Sequence, residues 1–455
     1  MSGLDPRSPV DCSSRSARSR WLVWAALAPL LVGCEDNVEQ APPSSAPPPI
    51  LIGVLTDTSQ SEGASGRAMW PAFDAAVAAV NGAGGIDGRQ VQLVFPTGGR
   101  DAKGDNLVPL AEEMIAQGVI GILGPVRSSE VLAIKDVIKD AVPLISPSAT
   151  SNELLAINGA DPWVFRTVPN DDLQVNAMVR FAREGVAGVA KSCTRMSVLY
   201  QDDAYGTAFK NTLTTELQKK GGQIAGTVVM PQKDTRDYKS LISELAGQMP
   251  DCAAMIALDN VGGPFMIDFN AYREQNSGAF AESFFFVGAD GLYVDEFLLN
   301  SRTDRANPTT TRANGFFGTT PDPSPPDNPS LTEFLKMYDL VVPRDPSDEL
   351  TSYVAAAYDA AALLLLARAA AGSDVGRDVR DQLVEVSRGG TPVNAGALGE
   401  GIRLASSGED INYTGASGPV DFQPPGMDVR SGYAIWTVEA GKFKVVGKLS
   451  VEDVQ

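Results

Sequence analysis

Short, wholly apolar runs alternate with stretches of helical periodicity from residue 50 onward. Ile50-Leu51-Ile52-Gly53-Val54-Leu55 has no polar position, the pattern of a strand buried on both faces. Met69, Phe73, Val77 and Val80 then recur at helical spacing, from about Ser65 to a glycine stop at Asn81-Gly82. Pro71 lies deep in that helix and argues for a start later than Ser65. A strand at Val91–Phe95, a helix at Leu107–Gln117, a strand at Val119–Leu123, a helix at Glu130–Ala141 and a strand at Pro143–Ser146 follow. After Arg166 the alternation begins again, with a strand at Arg195–Tyr200, a helix at Ala208–Lys220 and a strand at Gln223–Met230. A helix at Tyr238–Gln248 leads to strands at Ala253–Leu258 and Phe284–Val287, with the helix Pro264–Gln275 between them. Leu350–Ala371 reads as helix; Gly418–Phe422 and Tyr433–Val446 read as strands and turns.

Repeated βαβ units imply parallel sheets covered by helices on both faces. Two sets of them in 455 residues predict an α/β protein of two Rossmann-like lobes with parallel sheets. Open α/β sheets bind ligands beyond the carboxyl ends of their strands, so the cleft between the lobes is the place to search.

The first residues read as an address. Arg15, Arg18 and Arg20 precede an apolar run from Trp21 to Val32, about a dozen residues and too short to span a bilayer. The ending Leu31-Val32-Gly33-Cys34 resembles the bacterial lipobox, in which the cysteine becomes the lipidated first residue. Residues 1–33 are therefore predicted to be a signal peptide, and Cys34 the site of a lipid anchor. Residues 34–49, rich in Pro and Ser, cannot bury a core and read as a tether. The Ala355–Ala371 run is interrupted by Asp359 and Arg368 and does not resemble a membrane span. These features place the chain on the extracytoplasmic face of the cell envelope. There Cys193 and Cys252, each just before a predicted strand, are either disulfide-bonded or two buried free thiols.

Charge and composition narrow the chemistry. The net charge is −19, and removal of residues 1–33, with four arginines and two aspartates, makes it more negative. Such a surface repels nucleic acid, and no nucleic-acid partner is expected. The chain has no histidine, so serine–histidine and cysteine–histidine nucleophile pairs are excluded and a leading zinc ligand is missing. Gly82-Ala83-Gly84-Gly85-Ile86-Asp87 follows a helix and has Asp87 where a dinucleotide fingerprint has its last glycine. Gly63-Ala64-Ser65-Gly66-Arg67 has Arg67 where a nucleophile elbow needs glycine. Neither an enzymatic activity nor a cofactor or metal is expected.

A series of short segments carries a resemblance. It comprises Ile52–Leu55, Asn81-Gly82-Ala83-Gly84-Gly85-Ile86-Asp87-Gly88, Gly124-Pro125 with Ser128-Ser129, and Ile145-Ser146-Pro147-Ser148-Ala149-Thr150. Val164-Phe165-Arg166-Thr167, Asp203-Ala204-Tyr205-Gly206, Gly288-Ala289-Asp290-Gly291 and Gly418-Pro419-Val420 continue it. In order and spacing they resemble the branched-chain amino acid-binding family of type I periplasmic binding proteins, from residue 50 nearly to the end. The resemblance implies two lobes joined by three crossovers: residues 50–169 with 316–416, and residues 170–315 with 417–455. It also implies capture of a small solute for an ABC permease; an envelope sensor using the same cleft is the alternative.

An α-amino acid needs donors for its carboxylate and an acid for its ammonium, since buried charge left unpaired is costly. By resemblance Ser128, the Thr150 hydroxyl and the Ser148 carbonyl would contact the ligand, with Ala149 lining the wall. Tyr205 would cover the ligand from the other lobe, and Asp290 would pair with its ammonium. Plainer readings exist for each: Ser128 as an N-cap, Thr150 opening a capping box with Glu153, Tyr205 as a loop residue, Asp290 as a turn aspartate. Ser65 stands where relatives often have an aromatic ring, and the region of Asn260 lacks their tyrosines. Arg127 either adds positive charge to the cleft or faces solvent. Together these differences widen the expected ligand to an amino acid or small carboxylate, including polar and acidic ones.

Overall fold

The computed structural model describes residues 47–57, 64–96, 107–322, 328–344, 350–351 and 353–455. The signal peptide, Cys34 and residues 34–46 of the tether lie outside the described residues; residues 47–49 have neither helix nor strand.

The first lobe follows the alternation. It begins β1 (Ile50–Val54), α1 (Ala64–Gly82), β2 (Val91–Val94), α2 (Leu107–Ala116), β3 (Ile122–Leu123), α3 (Ser128–Ile138), β4 (Leu144–Ser146) and β5 (Val164–Arg166). These strands form one parallel sheet in the order β2-β1-β3-β4-β5, so the chain winds outward from β1 in both directions. Helix α1 starts at Ala64 with Pro71 inside it, earlier than the proline suggested. Met69, Ala72, Phe73 and Ala76 on its inner face are fully buried, and their burial outweighs the one backbone bond that proline cannot make. Gly66 permits this start: a Cβ there would lie 1.9 Å from the Asp57 carbonyl oxygen.

The second lobe continues with α4 (Asp171–Glu184), β6 (Arg195–Gln201), α5 (Ala204–Lys219), β7 (Gln223–Met230), α6 (Lys239–Gly247), β8 (Cys252–Ile256), α7 (Asp259–Gln275), β9 (Phe285–Gly288), α8 (Asp295–Asn300) and β10 (Phe317–Pro321). The chain then returns to the first lobe for α9 (Pro329–Val341), α10 (Val354–Ala371), α11 (Gly376–Val386), β11 (Thr391–Asn394), α12 (Leu398–Ser406), β12 (Ile411–Gly415) and β13 (Gly418–Pro419). It ends in the second lobe with β14 (Tyr433–Glu439), β15 (Lys442–Leu449) and α13 (Val451–Val454). The second sheet has the order β15-β14-β10-β9-β8-β6-β7, parallel except for β14, which runs antiparallel to both β10 and β15.

Two sequence boundaries are corrected by this pairing. Residues 317–321 were expected in the first lobe, but β10 hydrogen-bonds to β9 and β14 in the second sheet. The second crossover therefore follows Pro321. The tail was expected to return to the second lobe at 417, but β13 pairs with β12, and Val420, Phe422 and Val429 are buried in the first-lobe core. The third crossover follows Val429. Three crossovers remain, the first between Arg166 and Asp171.

Helix α10 is long and apolar enough to cross a membrane by length and composition, yet it is the core helix of the first lobe, with Leu363, Leu364, Leu365 and Leu366 fully buried. Each contributes about 2 kcal/mol of apolar burial. Asp359 within it is also fully buried. Its carboxylate accepts from Tyr413 Oη, the Ala416 and Ser417 N–H groups and Ser417 Oγ, at 2.6–2.8 Å. Those donors keep it near pKa 6 against a burial that drives it higher. In the second lobe Phe265, Phe269, Phe286, Phe316 and Trp436 pack as an aromatic core. Cys193 and Cys252 form a disulfide, with Cα atoms 5.8 Å apart, tying the approach to β6 to the start of β8.

Candidate functional site

Both lobes and the cleft between them lie within one compact unit, Ala46–Gln455. On the first-lobe side, β3 turns into α3 and β4 into the segment 147–151, both at the carboxyl ends of the sheet. Ser128 is the first residue of α3 and is 2% exposed; Arg127, not Ser128, holds the N-cap position. The Arg127 N–H donates to the Glu130 carboxylate at 3.0 Å. Ser128 Oγ accepts from the Ser151 N–H at 3.2 Å and keeps its own proton available to donate.

The segment from Ser148 to Ser151 is held from behind. Ser148 Oγ donates to the Val126 carbonyl at 2.8 Å, and the Ala149 N–H donates to Ser146 Oγ at 3.1 Å. Arg166, fully buried on β5, donates through one nitrogen to the Ala149 and Ser151 carbonyls, both at 3.2 Å. Its other terminal nitrogen meets Asp428 at 3.1 Å. The helical turn Asn152–Ala156 is capped by Ser151, whose hydroxyl accepts from the Glu153 N–H, so Thr150 is not the capping residue. That leaves the Thr150 hydroxyl for other partners, and it favours the ionised form of Asp171. The Asp171 N–H donates to the Thr150 carbonyl at 3.1 Å.

On the second-lobe side, Tyr205 is not in a loop but in the first turn of α5, whose N-cap Asp203 accepts from the Gly206 N–H. Gly206 is needed there, since a Cβ would lie 2.1 Å from the Gln201 carbonyl oxygen. Tyr205 Oη donates to Asp290 Oδ1 at 2.8 Å. Asp290 opens a single helical turn after β9, is fully buried, and also accepts from the Gly291 N–H at 3.1 Å. Tyr353 brings a second hydroxyl towards this carboxyl from the first-lobe side. Its φ of +75° is a costly conformation for tyrosine, held at the start of α10. Burial pushes the Asp290 carboxyl up, while the Tyr205 and Tyr353 hydroxyls and the Gly291 N–H pull it down.

Ser65, Arg127, Ser128, Ser148 and Tyr205 line one cavity together with Tyr353. Its volume is about 30 Å³, room for one water, so the lobes are closed on each other. Ser151 Oγ donates across to the Ala204 carbonyl at 2.9 Å, and Asn152 to Thr212 Oγ1 at 3.2 Å. At the rim Arg67 of α1 meets Glu296 of α8 at 2.9 Å, a partly exposed pair contributing about 0–1 kcal/mol. Larger hollows lie elsewhere, one of about 300 Å³ beside α8, α9 and the β14–β15 turn, and one of about 520 Å³ against α4. Neither contains any of these hydroxyl or carboxyl groups.

Arg127 lines the cavity, and its charge acts on the second-lobe carboxyls Asp203 and Asp259. Asn260 lies beside Asp259 in the first turn of α7, which starts five residues before the sequence suggested and runs through Pro264. Burial, helped by Glu296, raises Asp259 to about 7. A carboxyl that holds its proton more tightly when folded stabilises the fold at low pH, and that contribution is lost as pH rises from about 4 to about 7. Asp259→Asn should therefore gain stability relative to the unsubstituted protein between pH 5 and pH 8, by on the order of 2 kcal/mol. Equal melting curves at both pH values would show that Asp259 titrates normally.

Sequence reasoning missed four residues of this site: Asp171, Tyr353, Arg166 and Asp428. A charged residue in the buried run Val164-Phe165-Arg166 was a signal for Arg166. Asp171 reads only as an acidic helix start, and Tyr353, at the start of α10, and Asp428, on the approach to the third crossover, meet the site through long-range contacts that local sequence does not reveal.

A family model described as "Periplasmic binding protein" matches residues 49–439. Among curated proteins, the chain is 29% identical to the chemotactic signal transduction system substrate-binding protein BasB of Halobacterium salinarum, covering 85% of this chain and 86% of BasB. It is 23% identical to Leu/Ile/Val-binding protein homolog 2 of Brucella abortus, over 74% of this chain and 82% of that protein. Among solved structures, the leucine-binding protein LivK of Thermotoga maritima superposes with a TM-score of 0.69 at 19% identity, covering 89% of this chain and 99% of LivK. A solute-binding protein of R. palustris, solved with benzoate, gives 0.66 at 16% identity, covering 88% and 96%. Fold and family are those of solute-binding proteins. With its two doubly wound lobes and three crossovers, the chain has the type I fold and belongs to the family of periplasmic binding proteins.

Proposed function

We propose that this protein captures an amino acid or similar small carboxylate in the inter-lobe cleft, as an extracytoplasmic lipoprotein that delivers its ligand to an ABC permease. The observation that carries this reading is the pairing of chemistries across the cleft. Ser128 offers a hydroxyl at the start of α3 and Thr150 another from the segment after β4, and Asp290 offers a carboxylate from the second lobe. Donors suit the ligand carboxylate and Asp290 its ammonium. The cavity of about 30 Å³ is too small for an amino acid, so the ligand enters an open form and favours closure over itself. Closure excludes water and strengthens each polar contact.

Thermal-shift titration with a panel of amino acids and simple carboxylates tests the reading. At least one amino acid should raise the melting temperature by several degrees at 100 times its Kd, where binding adds about 2.7 kcal/mol. No shift with any member would overturn it. A signalling role is the second reading, favoured by the likeness to the chemotaxis protein BasB. Ligand-loaded protein that stimulates a permease ATPase supports transport; capture of a membrane receptor by the loaded form supports signalling.

A further inference from the structure

The hollow beside α8, α9 and the β14–β15 turn has a volume of about 300 Å³, against about 30 Å³ in the closed cleft. That is large enough for a small organic molecule. Tyr338, Val342 and Val354 enter it from the first lobe, and Leu298 and Phe443 from the second. None of the residues lining it lines the cavity at Ser128 and Tyr205.

Its charged lining is mainly cationic, with Arg302, Arg344 and Lys442 against Asp295. Arg344 is answered by Asp339 at 2.8 Å. Arg302 is not. It is half-buried, and its side chain makes one hydrogen bond, from a terminal nitrogen to the Arg305 carbonyl at 3.1 Å. Its Nε has no partner among the described residues, and none of their carboxylates, Asp295 included, lies within ion-pair distance of it. A guanidinium drawn out of water without a counter-ion is costly, and an anion in the hollow would offset that cost.

We propose that this hollow is a second ligand site, for a small organic carboxylate with an apolar body, held by Arg302 and enclosed by both lobes. A guanidinium matches a carboxylate in a planar, two-bond fork. Asp295 disfavours a second negative charge, so a monocarboxylate fits better than a phosphate. Leu298, Val342 and Phe443 receive the apolar body. Because the walls come from both lobes, an occupant binds the closed form better than an open one and favours closure. By reciprocity it also tightens the hold of the cleft on its own ligand. The hollow is thus an effector site, separate from the cleft and independent of which solute the cleft takes.

Benzoate and hexanoate serve as an aromatic and an aliphatic probe, titrated calorimetrically into the mature protein saturated with the tightest amino acid of the panel. At least one should bind once per chain without displacing the amino acid, and should raise amino acid affinity roughly 5-fold or more. Arg302→Leu should weaken that probe roughly 10-fold or more, while amino acid affinity without the probe stays unchanged. Four results would each overturn the proposal: no binding of either probe, displacement of the amino acid, no gain in its affinity, or equal probe binding by Arg302→Leu. Where no amino acid binds, the capture reading falls, and probe titration of the free protein with and without Arg302→Leu still decides this one. The competition on the unsubstituted protein decides the matter even where Arg302→Leu does not fold.

Discussion

Asp290→Ala should cost at least about 100-fold in affinity for an amino acid while leaving the protein folded. The carboxyl is fully buried, and its oxygen Oδ2 has no partner of full hydrogen-bond geometry among the described residues. Removing it takes away the charge that answers the ligand ammonium and leaves that ammonium desolvated without a counter-ion. The fold does not depend on this carboxyl in the same way. The local cost of truncation is the Tyr205 and Tyr353 hydroxyls left without their acceptor. Calorimetric titration beside a circular-dichroism melt separates the two effects. Unchanged affinity would remove Asp290 from the ligand site.

The second large effect falls on stability. Arg166→Ala should destabilise the protein by about 3–5 kcal/mol, because it leaves the buried Asp428 without its cation. The Ala149 and Ser151 carbonyls lose their donor as well. Asp428 then retains the Asn170 side chain at 2.7 Å, which hydrogen-bonds it but brings no charge. Replacing both partners, as Arg166→Met with Asp428→Ala, should recover part of the loss, since no buried charge remains unpaired. Denaturant unfolding measures both. A loss under about 1 kcal/mol for Arg166→Ala would mean that water reaches Asp428.

The two substitutions act on one piece of backbone from opposite sides. Arg166 holds Ala149 to Ser151 from within the first lobe, and the outer side of that segment closes onto Ala204. The residues that bind are thus positioned by a buried ion pair that spans the first crossover and the approach to the third.

Much of this arrangement is legible along the chain. The wholly apolar run at Ile50 is a strand at nearly the expected bounds, because burial on both faces leaves no polar position to confuse it, and the half-exposed edge strand Gln223–Met230 keeps its expected bounds as well. Helices were harder at their starts. Helices α5 and α7 begin four and five residues before their first clear apolar periodicity, because their opening turns carry Tyr205 and Asp259 towards the cleft instead of into the core. Strand β10 was placed in the wrong lobe, since five residues ending in Pro321 say nothing of which sheet they join. Helices α4, α11 and α12 were not read, their charged faces obscuring narrow apolar stripes.

The site follows the same division. Ser128, Ser148 and Tyr205 could be named from short motifs because each stands at a strand-to-helix turn, and the structure lines one cavity with all three. The residues that make the cleft electrostatically distinctive could not. Asp171 and Asp428 lie beside crossovers and Tyr353 at the start of α10, far along the chain from the strands they meet, and a long-range meeting of that kind leaves no local period in the chain.

The cleft is proposed to hold a zwitterion, with its carboxylate on the first lobe and its ammonium on the second. A crystal structure with the tightest-binding amino acid of the panel tests this most directly. One ligand is expected between the lobes, its carboxylate within about 3 Å of the Ser128 and Thr150 hydroxyls and its ammonium at a similar distance from Asp290. A ligand bound in the opposite orientation, or in a hollow away from Tyr205 and Asp290, would contradict it.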